Sequence, residues 1–355
     1  MDESKTDFSN AVCPLPLPHG DQVVMGHGSG GTMSHDLIKR LFMPTFDNPI
    51  LGAGDDSGIV SLPNGTHLAI STDSHVVSPI FFPGGDIGRL AVCGTVNDVA
   101  MMGATPLFLT AGFILEEGLE MSILQQVVAS MQAAAVEANV QVIAGDTKVV
   151  QKGSADRLFI TTSGIGLVPD GIDIRGSQAK PGDVILLSGN IGDHGVAVLE
   201  ARRELGFVAN IPSDVAPLNH VIAAMIDVAH DGIHVLRDPT RGGLATTLNE
   251  IAQQSEVGII IHEQSIPVRP EVAAVCEMLG FDPLYMANEG KFLAILDPTV
   301  VDKTLLAMRN TRYGKQATII GEVLGSPKAR VLMKTSLGTT RVVDMLSGEM
   351  LPRIC

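Results

Sequence analysis

The sequence is poor in aromatic residues and in positive charge. It contains no tryptophan and 2 tyrosines, and aromatic residues make up 4% of the chain. Proteins that bind single-stranded nucleic acid stack bases on aromatic side chains, and a general nucleic-acid binder needs a basic face. Here 39 acidic residues outnumber 24 basic ones, which gives a formal net charge of −15. We therefore expect no nucleic-acid partner, whereas a nucleotide bound through Mg²⁺ is compatible with this charge.

Cysteines and long apolar runs are also scarce. The 4 cysteines, Cys13, Cys93, Cys276 and Cys355, form no C-x-x-C pair, so the sequence favours neither a disulfide framework nor a zinc finger. The first ten residues, MDESKTDFSN, are acidic and polar and do not resemble a secretory signal. No apolar run approaches the roughly 20 residues that span a bilayer. We expect a cytoplasmic protein without a membrane partner.

Length and composition predict a folded protein of two domains. Hydrophobic residues make up 45% of the 355 positions and charged residues 18%, which is enough for a packed core. Strand and helix patterns alternate in both halves, and a stretch rich in proline and glycine separates the halves, so the predicted class is α/β (α+β). The predicted regions are an irregular leader with a Gly-rich loop (1–41), an N-terminal domain (42–168), a C-terminal domain (169–330) and a tail (331–355).

Local patterns place several elements in the first half. A turn sequence between 59–62 and 67–70 predicts a hairpin, and apolar periodicity predicts helices over 86–102 and 121–138. Strands are predicted to end close to Asp73 and, after 140–144, at Asp146. In the second helix the predicted buried face consists of Met121, Leu124, Val128, Met131 and Ala135.

A glycine-rich segment, His27-Gly28-Ser29-Gly30-Gly31-Thr32, precedes a short helix. Glycines allow backbone N–H groups to approach phosphate oxygens, and the start of a helix favours anions. The segment is neither a Walker A loop, since no Gly-Lys-Ser/Thr follows, nor a dinucleotide fingerprint, since no strand precedes it. By itself it is compatible with a plain flexible loop or with a loop that covers phosphates.

Aspartates recur beside glycines and at the predicted ends of elements. Asn97 and Asp98 lie inside an apolar helix, where a carboxylate is costly to bury unless it is paired or binds a metal. One such aspartate would be a cap or turn residue, but several in the first 150 positions favour a site for Mg²⁺ and phosphates. The candidate ligands are Asp55, Asp56, Asp73, Asp98 and Asp146.

Other polar positions are turn residues if each is taken alone. Lys148, which follows Asp146 and Thr147, could hold a phosphoryl group or act as a base. Glu289, in the run Asn-Glu-Gly-Lys, is a possible base. Three more candidates lie in Gly-rich turns of the second half, namely Asp193, His194 and the potential anion-binding residue Arg241.

The chain ends in Cys355. A thiolate is a strong nucleophile, and chain termini are commonly mobile, so a terminal cysteine could carry a covalent group into an active site. It could also be an accidental residue.

These motifs together resemble a known family. GAGDDSGIV (52–60), the run over 71–106 and AGDTKVV (144–150) are similar to the ATP-binding half of the PurM-like, or aminoimidazole ribonucleotide synthetase, superfamily. Within it, HGSGG, GDHG, DPTRGG, NEGK and the terminal PRIC resemble the HypE family of hydrogenase maturation proteins. The resemblance covers nearly the whole chain from His27 onward.

The resemblance implies a specific reaction. Proteins of this family accept a carbamoyl group from the carbamoyltransferase HypF on the terminal cysteine and use ATP to dehydrate the S-carboxamide to an S-cyanate. The cyano group passes to iron in the HypC–HypD complex and becomes a cyanide ligand of [NiFe] hydrogenase. Members of the superfamily form homodimers by pairing their N-terminal sheets into a shared β-barrel, with ATP near that interface.

By resemblance, each candidate residue has an expected role. Cys355 would carry the substrate, and Lys148 and Glu289 would activate and deprotonate the carboxamide. The five aspartates would bind Mg²⁺. The residues expected to bind ATP are His27, Gly28, Gly30, Gly31, Asp55, Asp56, Asp73, Asn97, Asp98, Asp146, Thr147, Asp193, His194 and Arg241.

Two alternatives stay open on the sequence. The chain could be a PurM-like ATP-dependent synthetase or kinase for a free small molecule, which would not need Cys355. It could instead be a carrier or scaffold without enzymatic activity, although a scaffold has no use for buried Mg²⁺ ligands. We assign no function to the leader, and we expect Cys13 to be inert.

Overall fold

The computed structural model describes residues 22–203, 210–348, 351 and 353–355. Cys13 and the first half of the leader lie outside the described residues. The mixed α/β class is confirmed, with the elements arranged around two large sheets. The predicted domain limits stay predictions.

In the described part of the N-terminal half, five strands form one sheet in the order β1-β2-β7-β5-β6. The β5–β6 pair is parallel, and the other pairs are antiparallel. The predicted hairpin is confirmed, since Ile59 pairs with Ala69. The strands, with the short β3–β4 ribbon, are β1 (Gly58–Ser61), β2 (His67–His75), β3 (Phe81–Phe82), β4 (Gly85–Asp86), β5 (Thr105–Glu116), β6 (Gln141–Val150) and β7 (Leu158–Val168).

Two strands run further than the sequence predicted. β2 continues beyond Asp73, which pairs with Thr162 of β7, and β6 continues beyond Asp146, which pairs with Gly112 of β5. Both extensions have a ladder partner along their length, and pairing with a neighbour decides where a strand ends more than the intrinsic preference of one aspartate does.

The N-terminal sheet is covered by two helices at the predicted positions. They are α4 (Ile87–Met101) and α5 (Met121–Ala138). The carboxylate of Asp86 caps α4 by accepting hydrogen bonds from the N–H groups of Gly88 and Arg89. The predicted face of α5 is half right: Met121 and Val128 are exposed, and the buried residues are Val127, Met131, Ala134, Ala135 and Ala138.

Short helical segments precede the sheet. They are a 3₁₀ turn (Met25–Gly28), α1 (Thr32–Leu37), a π-helical turn (Ile38–Phe42), α2 (Met43–Thr45) and α3 (Pro49–Ala53). The short helix expected after the Gly-rich loop is therefore present.

In the described part of the C-terminal half, seven strands form a mixed sheet in the order β14-β13-β10-β12-β8-β11-β9. The helices predicted after Gly243 and Pro270 are confirmed. The strands are β8 (Val184–Leu187), β9 (Ile233–Arg237), β10 (Gly258–His262), β11 (Leu293–Leu296), β12 (Thr318–Leu324), β13 (Arg330–Lys334) and β14 (Thr340–Val343). The helices are α6 (Asp193–Ala201), α7 (Asn219–Ala229), α8 (Gly243–Gln254), α9 (Pro270–Leu279) and α10 (Val301–Arg309).

Polar side chains connect the two halves. The buried Asn97 of α4 donates to the carbonyl of Ala216 at 3.1 Å and accepts from the N–H of Leu218 at 2.8 Å. Glu137 of α5 forms an ion pair with Arg89 at 2.8 Å and also contacts Arg312 and Tyr313 of the C-terminal half. These contacts fix the positions of the two sheets around the space between them. Among the described residues, no helix has the length and apolar character needed to cross a membrane.

Candidate active site

A polar cavity of about 490 Å³ lies between the two halves. Its walls come from α1, β2, α4, β9 and α8 and from the loops that follow them. The structure brings nine of the predicted site residues to these walls. They are His27, Gly30, Asp55, Asp56, Asp73, Asp98, Arg241, Glu289 and Cys355.

The carboxylates of the cavity repel one another. Asp98 is held by a hydrogen bond from Ser71 Oγ at 2.7 Å, but burial, with the nearby charges of Asp238, Asp73 and Asp56, raises its pKa well above the usual range. Burial also raises the pKa of Asp56, although Arg237 opposes that shift. Among the described residues, Asp56 Oδ2 is buried without a hydrogen-bond partner.

This arrangement fits a divalent cation. Crowded carboxylates with raised pKa values and an unpartnered oxygen gain from a bound positive charge. Within the described part of the chain, no three His, Cys, Asp or Glu side chains form a complete metal-binding group. Mg²⁺ is commonly held by only one or two carboxylates together with waters and substrate phosphates, so the aspartates of the cavity suit a cation that arrives with phosphate.

Arg237 and Glu250 support this cluster, and the sequence analysis missed both. Arg237 Nε lies 2.8 Å from Asp56 Oδ1, and a second guanidinium nitrogen donates to Glu250 Oε2 at 2.6 Å. Burial acts to raise the pKa of Glu250, but Arg237 and His35 hold it below its usual range. A buried arginine needs carboxylate partners, so Arg237 at the end of an apolar strand was the signal available in the sequence.

The Gly-rich segment packs closely on the C-terminal half. Gly30 has φ +77°, and a Cβ there would lie 2.6 Å from the Cβ of Arg241. A Cβ on Gly31 would lie 2.1 Å from the carbonyl oxygen of Leu346. The carbonyl of Gly28 accepts a hydrogen bond from Arg241 at 3.1 Å. These contacts require glycines for reasons of space, and the covering of phosphates by this loop stays a prediction.

The end of the chain is bound rather than free. The N–H of Val76 donates to Cys355 O at 3.0 Å, and that of Ser78 donates to Arg353 O at 3.2 Å. Residues 353–355 are therefore bound in this structure, and the mobility of the tail stays a prediction. They are bound because the segment after β2 offers N–H groups that pair with the last carbonyl oxygens.

The side chain of Cys355 lies between two different cavities. One is the polar cavity, and the other is a cavity of about 620 Å³ with mainly apolar walls that include Val76, Leu346 and Leu351. Burial raises the pKa of the Cys355 thiol, while Arg241 acts to lower it. In this bound state the side chain is a thiol, and a group attached to its sulfur would border both cavities.

Glu289 is the acid–base candidate of the polar cavity. Its side chain is buried, and among the described residues Oε1 has no hydrogen-bond partner. Burial, with the charges of Asp73, Asp238 and Asp214, raises its pKa well above the usual range against the influence of Arg241. A buried carboxyl group with a raised pKa and an unpartnered oxygen is typical of a group that exchanges protons in a reaction.

Three predicted residues lie away from both cavities. Asp146, Thr147 and Lys148 belong to the exposed strand β6, and none is among the described residues that line either cavity. Lys148 Nζ donates to Asp146 Oδ2 at 2.6 Å, and this contact lowers the pKa of Asp146. Their distance from the cavity follows from the position of β6 at the open edge of the sheet.

Three further predicted residues are not among the described residues that line the polar cavity, and their role in nucleotide binding stays a prediction. Asn97 uses its amide for the contacts between the two halves described above. Asp193 forms an ion pair with Arg269 at 3.0 Å, and burial, with Asp214, raises its pKa to about 6. His194 contacts the carbonyl of Ile354 instead of the cavity, at 2.7 Å from Nε2. The sequence placed them near the site because it could not show which way each side chain points.

His75 and Asp238 also belong to the surroundings of the site and were not among the sequence candidates. His75 is buried with Nε2 at 3.6 Å from Asp73 Oδ2, and burial lowers its pKa. Burial raises the pKa of Asp238 to about 6, while Arg237 opposes the shift and Asp73 adds to it.

Comparison with known proteins places this geometry in context. Residues 54–168 match the family model of the AIR synthase related protein, N-terminal domain. Residues 180–334 match the model of the AIR synthase related protein, C-terminal domain. A carbamoyl dehydratase HypE from Cupriavidus necator is 54% identical over 342 residues, which cover 96% of this chain and 97% of the relative.

Solved structures are similar over the same extent. A crystal structure of the hydrogenase maturation protein HypE in complex with ATP is 50% identical with a TM-score of 0.79, covering 94% of this chain and 100% of that chain. A crystal structure of a HypE–HypF complex has a chain that is 51% identical with a TM-score of 0.83, covering 87% of this chain and 99% of that chain.

Proposed function

The chain belongs to the HypE family of PurM-like proteins and is an ATP-dependent carbamoyl dehydratase of hydrogenase maturation, and we propose that Cys355 itself carries the group that reacts. In this proposal an S-carboxamide on Cys355 is converted to an S-cyanate, the source of the cyanide ligands of [NiFe] hydrogenase. The observation that carries the proposal is the position of the last residue of the chain, whose side chain lines the same cavity as Glu289, Arg241 and four of the predicted aspartates.

The chemistry explains why ATP is needed. The carboxamide oxygen is a poor leaving group, but after it accepts the terminal phosphoryl group of ATP it leaves as phosphate. The C–O bond breaks, both N–H protons are removed, and the carbon–nitrogen bond becomes triple. The balance is one S-carboxamide and one ATP giving one S-cyanate, one ADP and one phosphate.

Within this reaction we assign proton removal to Glu289. It lines the same cavity as Cys355, and its raised pKa lets it hold a proton taken from the carboxamide nitrogen. Arg241 lines both cavities and supplies a fixed positive charge next to the carboxamide and the phosphates.

We assign the binding of Mg²⁺ to Asp55, Asp56, Asp73 and Asp98. Their mutual repulsion and the unpartnered oxygen of Asp56 support this role. Mg²⁺ would supply charge neutralisation on the phosphates during phosphoryl transfer. Arg237 would keep Asp56 in place by pairing with it and with Glu250.

We propose that a homodimer completes the site. The residues Asp146, Thr147 and Lys148 lie on the edge strand β6, whose far side is unpaired in the described sheet. The same sheet exposes Ile70, Phe108, Ile114, Val142 and Val149, an apolar surface that a second copy would cover. In such a pair, β6 of one protomer would bring Asp146 and Lys148 to the cavity of the other.

We propose HypF as the carbamoyl donor and the HypC–HypD complex as the acceptor of the cyano group. A solved structure of a relative contains HypE together with HypF. Because the main chain of residues 353–355 is hydrogen-bonded to the rest of the protein, we infer that carbamoylation of Cys355 requires the end of the chain to leave the cavity and that dehydration requires it to return. We propose that ATP binding favours the returned position. Equal protease sensitivity of the tail with and without Mg²⁺-ATP would contradict that proposal.

Mass spectrometry of the C-terminal peptide tests the proposed function. We expect a carbamoyl adduct on Cys355 after incubation with HypF that carries the carbamoyl group, and loss of one water from that adduct only after Mg²⁺-ATP is added. Cys355→Ser should form no adduct, and Cys13→Ser serves as the matched control. ATP turnover on a free metabolite, with no adduct on Cys355, would instead support a small-molecule synthetase.

A further inference from the structure

The last three residues of the chain contact a defined surface, here called the tail site, formed by Asp156, Phe159, His194 and Arg202. Its members come from distant segments: Asp156 and Phe159 lie at the start of β7, and His194 and Arg202 lie on or directly after α6. The sequence analysis assigned His194 to the nucleotide, and the other three residues had no role. Their contacts point to the chain end instead.

The backbone of the tail is bound at each residue. The carbonyl of Arg353 accepts hydrogen bonds from the Arg202 side chain at 2.9 Å and from the N–H of Ser78. The carbonyl of Ile354 accepts a hydrogen bond from His194 Nε2 at 2.7 Å. Cys355 O accepts a hydrogen bond from the N–H of Val76. His194 Nδ1 lies 2.8 Å from Ser213 Oγ, and its ring packs edge-on against Phe82 with centroids 5.3 Å apart. The imidazole is therefore fixed on both sides, with its Nε2–H directed at the tail.

The side chain of Arg353 is also recognised. One guanidinium nitrogen donates to Asp156 Oδ2 at 2.6 Å, and Nε donates to the carbonyl of Val76 at 2.8 Å. The guanidinium carbon lies 5.7 Å from the centre of the Phe159 ring, within the range of a cation–π contact. A lysine could not make the same three contacts, because its ammonium group lacks the planar fork of arginine.

The chemical character of the neighbouring residues fixes the register. Ile354 is buried in the apolar cluster that contains Phe82 and Val215, whereas Cys355 packs at the edge of that cluster and also lines the polar cavity. A shift of the tail by one residue would place isoleucine among carboxylates and would move the sulfur away from Glu289. The contacts thus hold the sulfur at one position relative to the acid–base group.

We propose that the tail site is a recognition site for the C-terminal tripeptide Arg-Ile-Cys, in which Asp156, His194 and Arg202 act as positioning residues that bring Cys355 to Glu289. The inference rests on the proposed function, because it explains how the carrier cysteine returns to the same place after each visit to a partner. It adds a ligand class, a peptide with a free C-terminus and an arginine two residues before the end, and the residues that read it.

A charge exchange in the full-length protein tests the proposal. The variants are Arg353→Asp, Asp156→Arg and the double variant, with Lys328→Asp as a control for loss of an exposed cation. The first measurement is the rate at which iodoacetamide alkylates Cys355, followed by mass on the C-terminal peptide. We expect each single variant to react about tenfold faster because the tail leaves its site more often. The double variant should react at a rate between those of the single variants and wild type, because it restores the ion pair but not the contacts with Val76 and Phe159.

The second measurement is ATP-dependent loss of water from the fraction of Cys355 that is already carbamoylated. It should fall about tenfold in the single variants and recover partly in the double variant. Unchanged alkylation in Arg353→Asp, or a double variant no better than the singles, would overturn the recognition site. If wild type itself loses no water, the proposed function fails, and the alkylation measurement still decides on the tail site.

Discussion

The polar cavity and the edge strand β6 contain the same kinds of residue in opposite electrostatic states. In the cavity, burial and like charges raise the pKa values of Asp55, Asp56, Asp98 and Glu289. On β6, Asp146 is exposed, and the hydrogen bond from Lys148 lowers its pKa. In the cavity, Arg237 pairs with Asp56 but does not outweigh the burial that raises the pKa of that carboxylate, whereas the carboxylate on the edge has a lysine that lowers its pKa.

This difference indicates which parts of the site one chain completes alone. Buried carboxylates that crowd together are costly, and a protein retains them where a ligand repays the cost. An exposed pair such as Asp146 and Lys148 contributes little to stability, so its role depends on what covers it. We therefore propose that one chain forms the binding site for the cation and the phosphates, and that the residues of β6 act only when a second chain covers them.

The largest expected effect on the cavity side is that of Glu289→Gln. Glutamine keeps the shape of the protonated side chain but cannot accept a proton, so dehydration of carbamoylated Cys355 should slow by about 10²- to 10⁴-fold. In wild type the rate should rise with pH through the raised pKa of Glu289, as its basic form becomes populated. Single-turnover measurements by mass from pH 6 to pH 9 check both points, with the exposed Glu256→Gln as control. An unchanged rate would remove Glu289 from the mechanism.

Removing the cation that the cavity already contains should destabilise the fold. Arg237→Met leaves Asp56 and Glu250 buried without their shared partner, so the free energy of unfolding should fall by about 3 kcal/mol. The matched control is Arg40→Met, whose partner Asp36 is exposed and for which we expect less than about 0.5 kcal/mol. Urea denaturation measures both. Equal small effects would show that the cavity is more polarisable than its contacts indicate.

Mixing two inactive variants tests the role of the edge strand. If Lys148 of one protomer serves Cys355 of the other, Lys148→Met and Cys355→Ser should complement each other. Random mixing makes half of the dimers mixed, each with one intact site, so the rate should recover to about a quarter of wild type. No recovery, despite exchange of subunits shown by native mass spectrometry, would mean that each chain uses its own Lys148 or none.

The smallest expected effect is a gain in stability from Asp98→Asn. Below the ordinary pKa of an aspartate, near 3.9, Asp98 is protonated in both the folded and the unfolded protein. Between that pH and its raised pKa in the folded protein, Asp98 is protonated only in the folded protein. Wild-type stability should therefore fall as pH rises, and Asp238, with a pKa raised to about 6, contributes in the same direction.

The amide of Asp98→Asn does not ionise, so this variant should be more stable than wild type by about 1 kcal/mol at pH 8 and less so at pH 5, with reduced ATP-dependent activity. Urea denaturation at the two pH values measures the difference. A loss of stability at pH 8 would show that the charge of Asp98 has a partner in the folded protein.

Much of the fold could be predicted from local signals. The hairpin at Pro63-Asn64-Gly65, the helix that begins at Asp86 and the helix after Pro270 each have a turn, a cap or a breaker next to a periodic run. The buried face of α5 could not be predicted with the same accuracy, because alanines and valines occur on several sides of that helix. Its packing against α4 decides which side is buried.

The candidate site divides in the same way. Cys355 and the aspartates of the cavity could be identified from residue type and from the resemblance to a family. Arg237, Glu250 and the tail site could not, because each acquires its role from partners that are distant in the chain, as Arg237 does from Asp56. The motifs that contain Asn97, Asp193 and His194 could be found in the sequence, but the contacts of these side chains could not. A motif indicates a position in the chain and not the direction in which the side chain points.

The sequence by itself determined the class of the fold, the acidic character of the site and the reactive residue at the end of the chain. These properties depend on composition, on local periodicity and on the identity of single residues. Only the tertiary structure decided that four of the predicted aspartates share a cavity, that Asp146 and Lys148 stand apart from it, and that the chain end is bound next to Glu289. Those outcomes depend on which strand lies at the edge of a sheet and on long-range pairing of charges and carbonyl groups, and local sequence does not encode either.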